Sequence, residues 1–241
     1  MVNEAKKVAV IGAGNVGATC AFVLAERKIG EIVLLDIFEG FAKGKALDMS
    51  QGGQILNYDG RITGTSDYKD IADSDVVVVT SGFPRKPGMT REDLVEKNAE
   101  IITQVGKGIK EYAPNSVIVM VTNPLDLMTY HMQKITQFPV ERVVGQAGIL
   151  DSARMTHFVS EELGVSNEDV QAMVLGGHGD TMVPLPRYTT VSGIPITQLI
   201  SNERIKQISE RTAGGGGEIV KLLERGSAFY APGSAAAIMA E

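Results

Sequence analysis

The sequence predicts an α/β protein built on a doubly wound parallel sheet, followed along the chain by a second, smaller α+β domain. Over about the first 145 residues, short apolar runs alternate with helix-length segments, and beyond them the pattern changes to short strands broken by glycine and proline. The chain has 241 residues, of which 44% are hydrophobic and 22% charged, which is enough for one or two domains with their own cores. We therefore expect one domain over residues 1–145 and another over residues 146–241.

Four continuous apolar runs are predicted to be the strands of the first domain. Because neither face of such a run is polar, each strand is expected to be buried on both faces, as in a parallel sheet covered by helices. Helical patterns at Val16–Lys28 and Arg91–Tyr112 lie between runs, which indicates βαβ units with right-handed crossovers. The four runs are 8–14 (VAVIGAG), 31–36 (EIVLLD), 75–82 (DVVVVTSG) and 116–123 (SVIVMVTN).

The second domain is predicted to open with a helix at Asp151–Gly164. A strand then runs into glycines over residues 170–180, and residues 183–195 are typical of antiparallel strands broken by prolines. Asn202–Arg225 has a helical pattern that contains four consecutive glycines, 214–217. Because each glycine in a helix costs roughly 1 kcal/mol relative to alanine, we expect a weak point or a break there. The last eight residues, SAAAIMAE, begin another apolar helix.

Charge and cysteine content exclude several classes of protein. Lys and Arg number 23 against 29 Asp and Glu, and the net charge of −6 does not suit a nucleic-acid-binding protein. The single cysteine, Cys20, excludes an internal disulfide and a cysteine zinc site, indicates a reducing compartment and is expected to be a small core residue. No run approaches ~18 apolar residues, and no signal peptide is recognisable. We expect a cytoplasmic protein with no membrane segment, no nucleic-acid partner and no metal.

A glycine-rich turn at Gly12–Gly17 (GAGNVG) joins the first strand to the first helix. Gly12 permits the tight turn, Gly14 lets a pyrophosphate approach the backbone, and Gly17 lets the helix pack on the strand. Asp36 ends the next strand, where its carboxylate can hydrogen-bond ribose hydroxyls and repel a 2′-phosphate. Together they predict a Rossmann-type site for NAD rather than NADP. The alternative is a glycine turn packed for structural reasons alone.

A loop at Gly82–Arg91 follows the third predicted strand and contains the three cations Arg85, Lys86 and Arg91. Its two prolines and two glycines indicate a structured but movable segment. Because it lies at the carboxyl end of a strand, it could close over an anionic substrate as a lid. The alternative is a solvated charged loop.

Asn123 and Pro124 follow the fourth predicted strand. An Asn at the end of an apolar strand can offer its amide to a ligand, and the following proline suggests a cis peptide in a tight turn. An ordinary Asn-Pro turn is the equally acceptable alternative.

Two segments of the second domain suggest acid–base chemistry. His178 lies between glycines in GGHGD (176–180), where a substrate can approach its ring, and an aspartate on its other ring nitrogen would fix the tautomer. Asp151 and Arg154 lie on one helical face, so both can reach one site. The alternatives are that Asp151 is a helix N-cap and that His178 is a turn residue. His131 and His157 are expected on helix surfaces.

These five segments, in this order and spacing, resemble the lactate/malate dehydrogenase family from Lys7 to the last residue. The resemblance implies NAD as the cofactor. It implies that the cofactor contacts are Gly12, Ala13, Gly14, Asn15, Val16, Gly17, Asp36, Asn98, Val121, Thr122 and Asn123.

The same resemblance implies three catalytic residues: His178 as proton acceptor, Asp151 as its orienting partner, and Arg91, which polarises the reacting carbonyl. It implies that substrate is bound by Arg85, Arg91, Asn123 and Arg154. Because lactate-specific members typically have Gln where this chain has Arg85, the expected reaction is the reversible oxidation of (S)-malate to oxaloacetate. A lactate or other 2-hydroxyacid dehydrogenase remains the first alternative, and a non-catalytic NAD-binding module the second.

The resemblance also bears on assembly and completeness. It implies a homodimer or homotetramer that acts on a small dicarboxylate in the tricarboxylic acid cycle. Family members run to about 310 residues, so we expect the second, substrate-binding domain to lack its last ~70 residues here. The four glycines at 214–217 replace what is a regular helix in the family.

Overall fold

The computed structural model describes residues 6–83, 90–179 and 181–241, with the side chain of Arg91 also outside the description. The chain forms two compact units, which we describe separately. The first contains the described residues up to Gln146 together with Phe229–Glu241, and the second is Ala147–Ala228. The sequence placed all of 146–241 in one domain, whereas by its contacts the last segment lies in the first unit.

The first unit is built on a six-stranded parallel sheet in the order β3-β2-β1-β4-β5-β6. The chain runs outward from β1 to one edge, returns to the centre at β4 and continues to the other edge. Such a reversal leaves a crevice at the carboxyl ends of the central strands. The predicted doubly wound sheet is confirmed. The strands are β1 (Lys7–Ile11), β2 (Glu31–Leu35), β3 (Ile62–Thr65), β4 (Val76–Val79), β5 (Val117–Met120) and β6 (Val143–Gly145).

Helices cover the sheet of the first unit. They are α1 (Asn15–Glu26), α2 (Glu39–Leu56), α3 (Arg91–Tyr112), α4 (Leu125–Thr136) and α7 (Tyr230–Ala240). Cys20 and Leu24 of α1 lie fully buried in one apolar cluster with Leu34 and Val78 of the sheet and Ala236 of α7. Cys20 is therefore a core residue, as predicted.

The second unit combines two helices with short antiparallel strands. Its helices are α5 (Gly148–Leu163) and α6 (Asn202–Leu223), and its core includes the buried side chains of Met155, Ile196 and Ile208. β10 pairs with both β7 and β11, and β8 pairs with β9, all antiparallel, as the prolines and glycines predicted. These strands are β7 (Val170–Gln171), β8 (Val174–Gly176), β9 (Met182–Pro184), β10 (Thr190–Val191) and β11 (Ile194–Pro195).

The sequence predicted a weak point or a break at glycines 214–217, and the break is wrong, because α6 continues through all four. Tertiary packing outweighs the low helix propensity of glycine here. Ile208 before the run and Gly215 within it are buried, and Arg211 on one side of the run bonds Glu218 on the other at 2.8 Å.

One alternative and one prediction about single residues need correction. Asp151 is not an N-cap, since α5 begins three residues earlier, at Gly148, and places Asp151 inside its first turn. His131 does not lie free on a helix surface, because its Nε2 is 2.9 Å from Thr103 Oγ1 and 3.2 Å from the Ala99 carbonyl oxygen of the neighbouring helix α3. His157 is exposed, as predicted.

In the part of the chain that the structure describes, no helix combines the length and apolar character needed to cross a membrane. Over the same residues, no group of three or more His, Cys, Asp or Glu side chains is placed to hold a metal ion.

Candidate active site

The glycine turn between β1 and α1 contains one glycine that packing does not explain. Gly12 has a φ of +105°, and an added Cβ would lie 2.7 Å from the Ser81 nitrogen. A Cβ on Gly17 would lie 1.8 Å from the Gly12 carbonyl oxygen, so both positions require glycine for the fold itself. A Cβ on Gly14 would meet nothing within 4 Å. Gly14 therefore leaves open space at the start of α1, where a phosphate group can approach the backbone.

Asp36, directly after β2, is fixed beside this turn. Its Oδ2 accepts a hydrogen bond of 2.8 Å from the Ala13 N–H, and its Oδ1 accepts one of 3.0 Å from the Phe38 N–H. The carboxylate lies next to the glycine turn, as the sequence predicts for a ribose-binding group. Burial lowers the pKa of the nearby Lys45, and the charge of Asp36 opposes that shift.

Asn98 of α3 joins the segments that follow β4 and β5. Its Nδ2 donates to the Asn123 carbonyl oxygen at 2.6 Å, and its Oδ1 accepts from the Phe83 N–H at 2.6 Å. Thr122, also after β5, donates to the Ser81 carbonyl oxygen at 2.7 Å. One end of the buried Asn98 amide thus holds the backbone of the predicted cofactor-contact segment 121–123, and the other end holds Phe83 of the loop predicted as a lid. The Asn123-Pro124 peptide is cis, as suggested by the sequence.

Two buried polar groups at strand ends were not predicted as site residues from the sequence. Ser81 Oγ and Gln146 Nε2 have no hydrogen-bond partner among the described residues. Ser81 comes shortly after β4 and Gln146 directly after β6, so both follow strands of the parallel sheet at their carboxyl ends. Because buried polar groups are normally paired, these two unpaired groups mark the edge of the sheet where a ligand is expected to bind. The signal that could have found them is a polar residue that follows an apolar strand.

The second unit brings together the three residues on which the acid–base prediction depends. Asp151 is buried, with 1% of its side chain exposed. Its Oδ2 lies 3.0 Å from His178 Nδ1, and its Oδ1 accepts a hydrogen bond of 3.2 Å from Arg154 Nη1. One carboxylate therefore contacts both other residues.

The local backbone explains how His178 reaches this position. It follows β8 in a turn whose Gly176 and Gly179 have φ values of +85° and +90°, in the left-handed region that favours glycine. With Nδ1 directed at Asp151, Nε2 is the ring nitrogen that can exchange a proton with a ligand. About 20% of the His178 side chain and 13% of the Arg154 side chain are exposed, so both can meet a small molecule.

The lid prediction falls largely outside the described residues. Arg85 lies in the segment 84–89 and Asp180 is also outside the description, so the structure does not place either one. Arg91 is the first residue of α3. Thr90 caps that helix: its Oγ1 accepts from the Asp93 N–H, and its own N–H donates to Asp93 Oδ2, both at 3.0 Å. The capping box fixes where α3 begins after the loop.

Sequence models of two domains match this chain. Residues 6–145 match the lactate/malate dehydrogenase NAD binding domain, and residues 149–241 match the lactate/malate dehydrogenase alpha/beta C-terminal domain. A malate dehydrogenase of Methanosarcina barkeri is 57% identical over 235 residues, which are 98% of this chain and 76% of that protein. Malate dehydrogenase 1 of Anaeromyxobacter dehalogenans is 55% identical over 240 residues, 99% of this chain and 77% of that one.

Solved structures are similar as well. The apo malate dehydrogenase of Picrophilus torridus has a TM-score of 0.94 at 52% identity and covers 97% of this chain and 74% of its own. The lactate dehydrogenase of Cryptosporidium parvum, complexed with lactic acid and nicotinamide adenine dinucleotide, has a TM-score of 0.93 at 40% identity and covers 100% of this chain and 77% of its own. With its parallel sheet, its glycine turn and both domain matches, the chain belongs to the lactate/malate dehydrogenase family.

Proposed function

We propose that this protein catalyses the NAD-dependent, reversible oxidation of (S)-malate to oxaloacetate. The observation that carries the proposal is the buried Asp151 carboxylate, which contacts His178 and Arg154 at the same time. This arrangement couples a proton-exchanging ring to a guanidinium that can bind a carboxylate, as a 2-hydroxyacid substrate requires.

The first unit fits a dinucleotide. Gly14 leaves the start of α1 open, and Asp36 is held beside the turn by two backbone N–H groups. Ser81 and Gln146 add buried polar groups that lack a partner among the described residues. NAD, when bound, accepts the hydride that leaves C2 of malate. We propose that it is held by residues 12–17, Asp36, Asn98 and residues 121–123.

We propose that His178 moves the proton. Neutral His178 takes the hydroxyl proton of malate on Nε2 and returns it to the ketone oxygen in the reverse direction. Asp151 holds Nδ1 and stabilises the positive ring that results. Because the carboxylate is buried, its orientation is set before substrate arrives.

The substrate contacts form the next part of the proposal. Arg154 binds the C1 carboxylate, and Asn123 donates a hydrogen bond. Arg91 stabilises charge on the reacting oxygen, and Arg85 pairs with the second carboxylate. Malate is favoured over lactate because the relatives from Methanosarcina barkeri and Anaeromyxobacter dehalogenans, at 57% and 55% identity, are both malate dehydrogenases.

We also propose the setting in which the reaction takes place. The cofactor contacts lie within residues 1–145, and the acid–base residues lie within residues 146–241. The enzyme works in the cytoplasm, consistent with its single cysteine, which cannot form an internal disulfide, and it acts on a step of the tricarboxylic acid cycle. It forms a homodimer or homotetramer, and it has no nucleic-acid or membrane partner.

The test is NADH absorbance with purified protein, measured with malate or lactate plus NAD and with oxaloacetate or pyruvate plus NADH. We expect kcat/KM for malate to exceed that for lactate by at least ~100-fold, since an unpaired buried cation disfavours the methyl compound. Comparable efficiencies would favour the lactate alternative. If calorimetry shows that the protein binds NADH but none of the four substrates is turned over, the non-catalytic NAD-binding module is favoured.

A further inference from the structure

The four glycines of α6 differ in their surroundings, although helix formation favours glycine at none of these positions. Gly215 is buried and Gly216 is half-buried, whereas Gly214 and Gly217 are exposed. An added Cβ on Gly214 or Gly217 would meet nothing within 4 Å. The two middle glycines therefore have a neighbour that the two outer glycines lack.

That neighbour is Arg154. A Cβ on Gly215 would lie 3.2 Å from Arg154 Cδ and 3.5 Å from its Nε. A Cβ on Gly216 would lie 3.5 Å from Arg154 Nη2 and 4.0 Å from Nη1. The side chain of Arg154 thus lies along bare helix backbone, with Gly215 beside its stem and Gly216 beside its guanidinium.

Arg154 is held from another direction by Asp151, through the 3.2 Å hydrogen bond from Nη1. Only 13% of the Arg154 side chain is exposed, so it has little room to adopt another position. Asp151 in turn contacts His178 at 3.0 Å. A displacement of Arg154 would therefore reach the carboxylate that orients the histidine.

We propose that Gly215 and Gly216 are positioning residues for Arg154. Their lack of side chains lets the guanidinium lie where it can bind the substrate carboxylate while it keeps its bond to Asp151. The inference rests on the proposed role of Arg154 in substrate binding. A contact of 3.2 Å is tighter than an ordinary carbon–carbon contact, so even alanine at position 215 pushes the arginine stem away.

The experiment compares matched substitutions within this run. Gly215→Ala is compared with Gly214→Ala, and Gly216→Leu with Gly217→Leu. We expect Gly215→Ala and Gly216→Leu to raise the KM for malate by about 10-fold or more, with a smaller effect on kcat and an unchanged Kd for NADH. The two outer variants should keep KM within about 2-fold and raise Tm, because alanine and leucine favour the helix.

Thermal unfolding separates positioning from damage to the fold. If Gly215→Ala and Gly216→Leu keep or raise Tm while KM rises, the positioning role is supported. If their KM values match those of the outer variants, the proposal is wrong. Arg154→Ala provides a second test, because alanine lacks the Cγ, Cδ and guanidinium that lie beside these glycines. In that background Gly215→Ala should change KM by less than about 2-fold, and an equal effect in both backgrounds would overturn the proposal.

A failure of the positioning role can be distinguished from a failure of the proposed function. If the wild-type protein does not oxidise malate, the proposed function fails. The positioning role is then measured by calorimetric binding of malate to the NADH-saturated protein, with the same four glycine variants. Weaker binding in Gly215→Ala and Gly216→Leu alone supports it, and equal binding in all four contradicts it.

Discussion

Asp151 Oδ2 lies 3.0 Å from His178 Nδ1, although 27 positions separate the two residues in the chain. The aspartate comes from the first turn of α5 and the histidine from the glycine turn after β8. Because the carboxylate is buried and its other oxygen accepts a bond from Arg154, it cannot rotate away without losing two partners. The histidine ring is therefore oriented by a group that is itself fixed.

Asp151→Asn should lower kcat for malate oxidation by at least ~100-fold. The amide keeps the size of the carboxylate, but it has one acceptor oxygen for two donors and no charge to stabilise the positive ring. The measurement is steady-state kinetics with malate and NAD. Asp169→Asn, an exposed acid of the same unit, is the control and should be near wild type. Equal rates in both variants would contradict the orienting role.

His178→Asn should remove proton transfer while the fold is kept, so we expect turnover to fall by at least ~100-fold with the Kd for NADH little changed. Calorimetry with NADH and stopped-flow turnover measure the two quantities. His157→Asn serves as the control because His157 is exposed on α5. Near-normal turnover in His178→Asn would remove it as the proton acceptor.

Asp36 should determine the choice of cofactor. We expect wild-type kcat/KM with NADP to be at least ~100-fold lower than with NAD, because the carboxylate repels a 2′-phosphate. In Asp36→Ser, the ratio of kcat/KM with NAD to kcat/KM with NADP should fall by about 10-fold or more. The KM for NAD should rise, because the Ala13 and Phe38 N–H groups lose their acceptor. Asp48→Ser on α2 is the control and should change neither the NAD-to-NADP ratio nor the KM for NAD. Similar NAD and NADP efficiencies in the wild type would contradict this role.

Arg85 should select the dicarboxylate, although it lies outside the described residues. Malate and lactate share the C1 carboxylate and the hydroxyl group, so only the second carboxylate distinguishes them. Losing a buried pair costs about 3–5 kcal/mol, or on the order of 10²–10⁴ in relative efficiency. In Arg85→Gln, kcat/KM for oxaloacetate should fall steeply while that for pyruvate holds or rises. Lys86→Gln, in the same loop, is the control. An unchanged oxaloacetate-to-pyruvate ratio in Arg85→Gln would refute the prediction.

Cys20 should resist thiol reagents in the folded protein. Its side chain is fully buried, and burial raises its pKa to about 12. At pH 8 the reactive thiolate would then be about 10⁻⁴ of the total. Labelling with a chromogenic disulfide should be negligible in the native state and reach one equivalent in guanidinium chloride, since the chain has one cysteine. Rapid labelling of the native protein would show that α1 opens readily from the sheet.

The central strands were predictable because β1, β2, β4 and β5 are runs of apolar residues. The edge strands β3 and β6 were not predicted. β3, with the sequence ITGT, alternates apolar and small polar residues, and β6 has only three residues. An edge strand has one neighbour instead of two and needs a weaker apolar pattern, which is easily lost in a single sequence.

The candidate site was predictable where a residue type implies its chemistry. Acid–base catalysis by His178 calls for an aspartate on its second ring nitrogen, the family resemblance implied Asp151 for that role, and the structure contains the pair. The contact of Gly215 with Arg154 could not be predicted, because no spacing rule connects a glycine on one helix with an arginine on another. The same holds for Gln146, whose lack of a partner in the described part of the chain becomes visible only when burial is known.

The last helix has a consequence for the order in which the protein can fold. α7 buries Ala236 and Ala237 in the core of the first unit, and Gly233 lies so close to α1 that an added Cβ would be 2.7 Å from Thr19 Cβ. The core of the first unit is thus completed by α7, which is synthesised after the whole of the second unit. During synthesis the face of α1 that packs against α7 stays uncovered until α7 emerges, so we expect nascent chains shorter than about 230 residues to depend on chaperones.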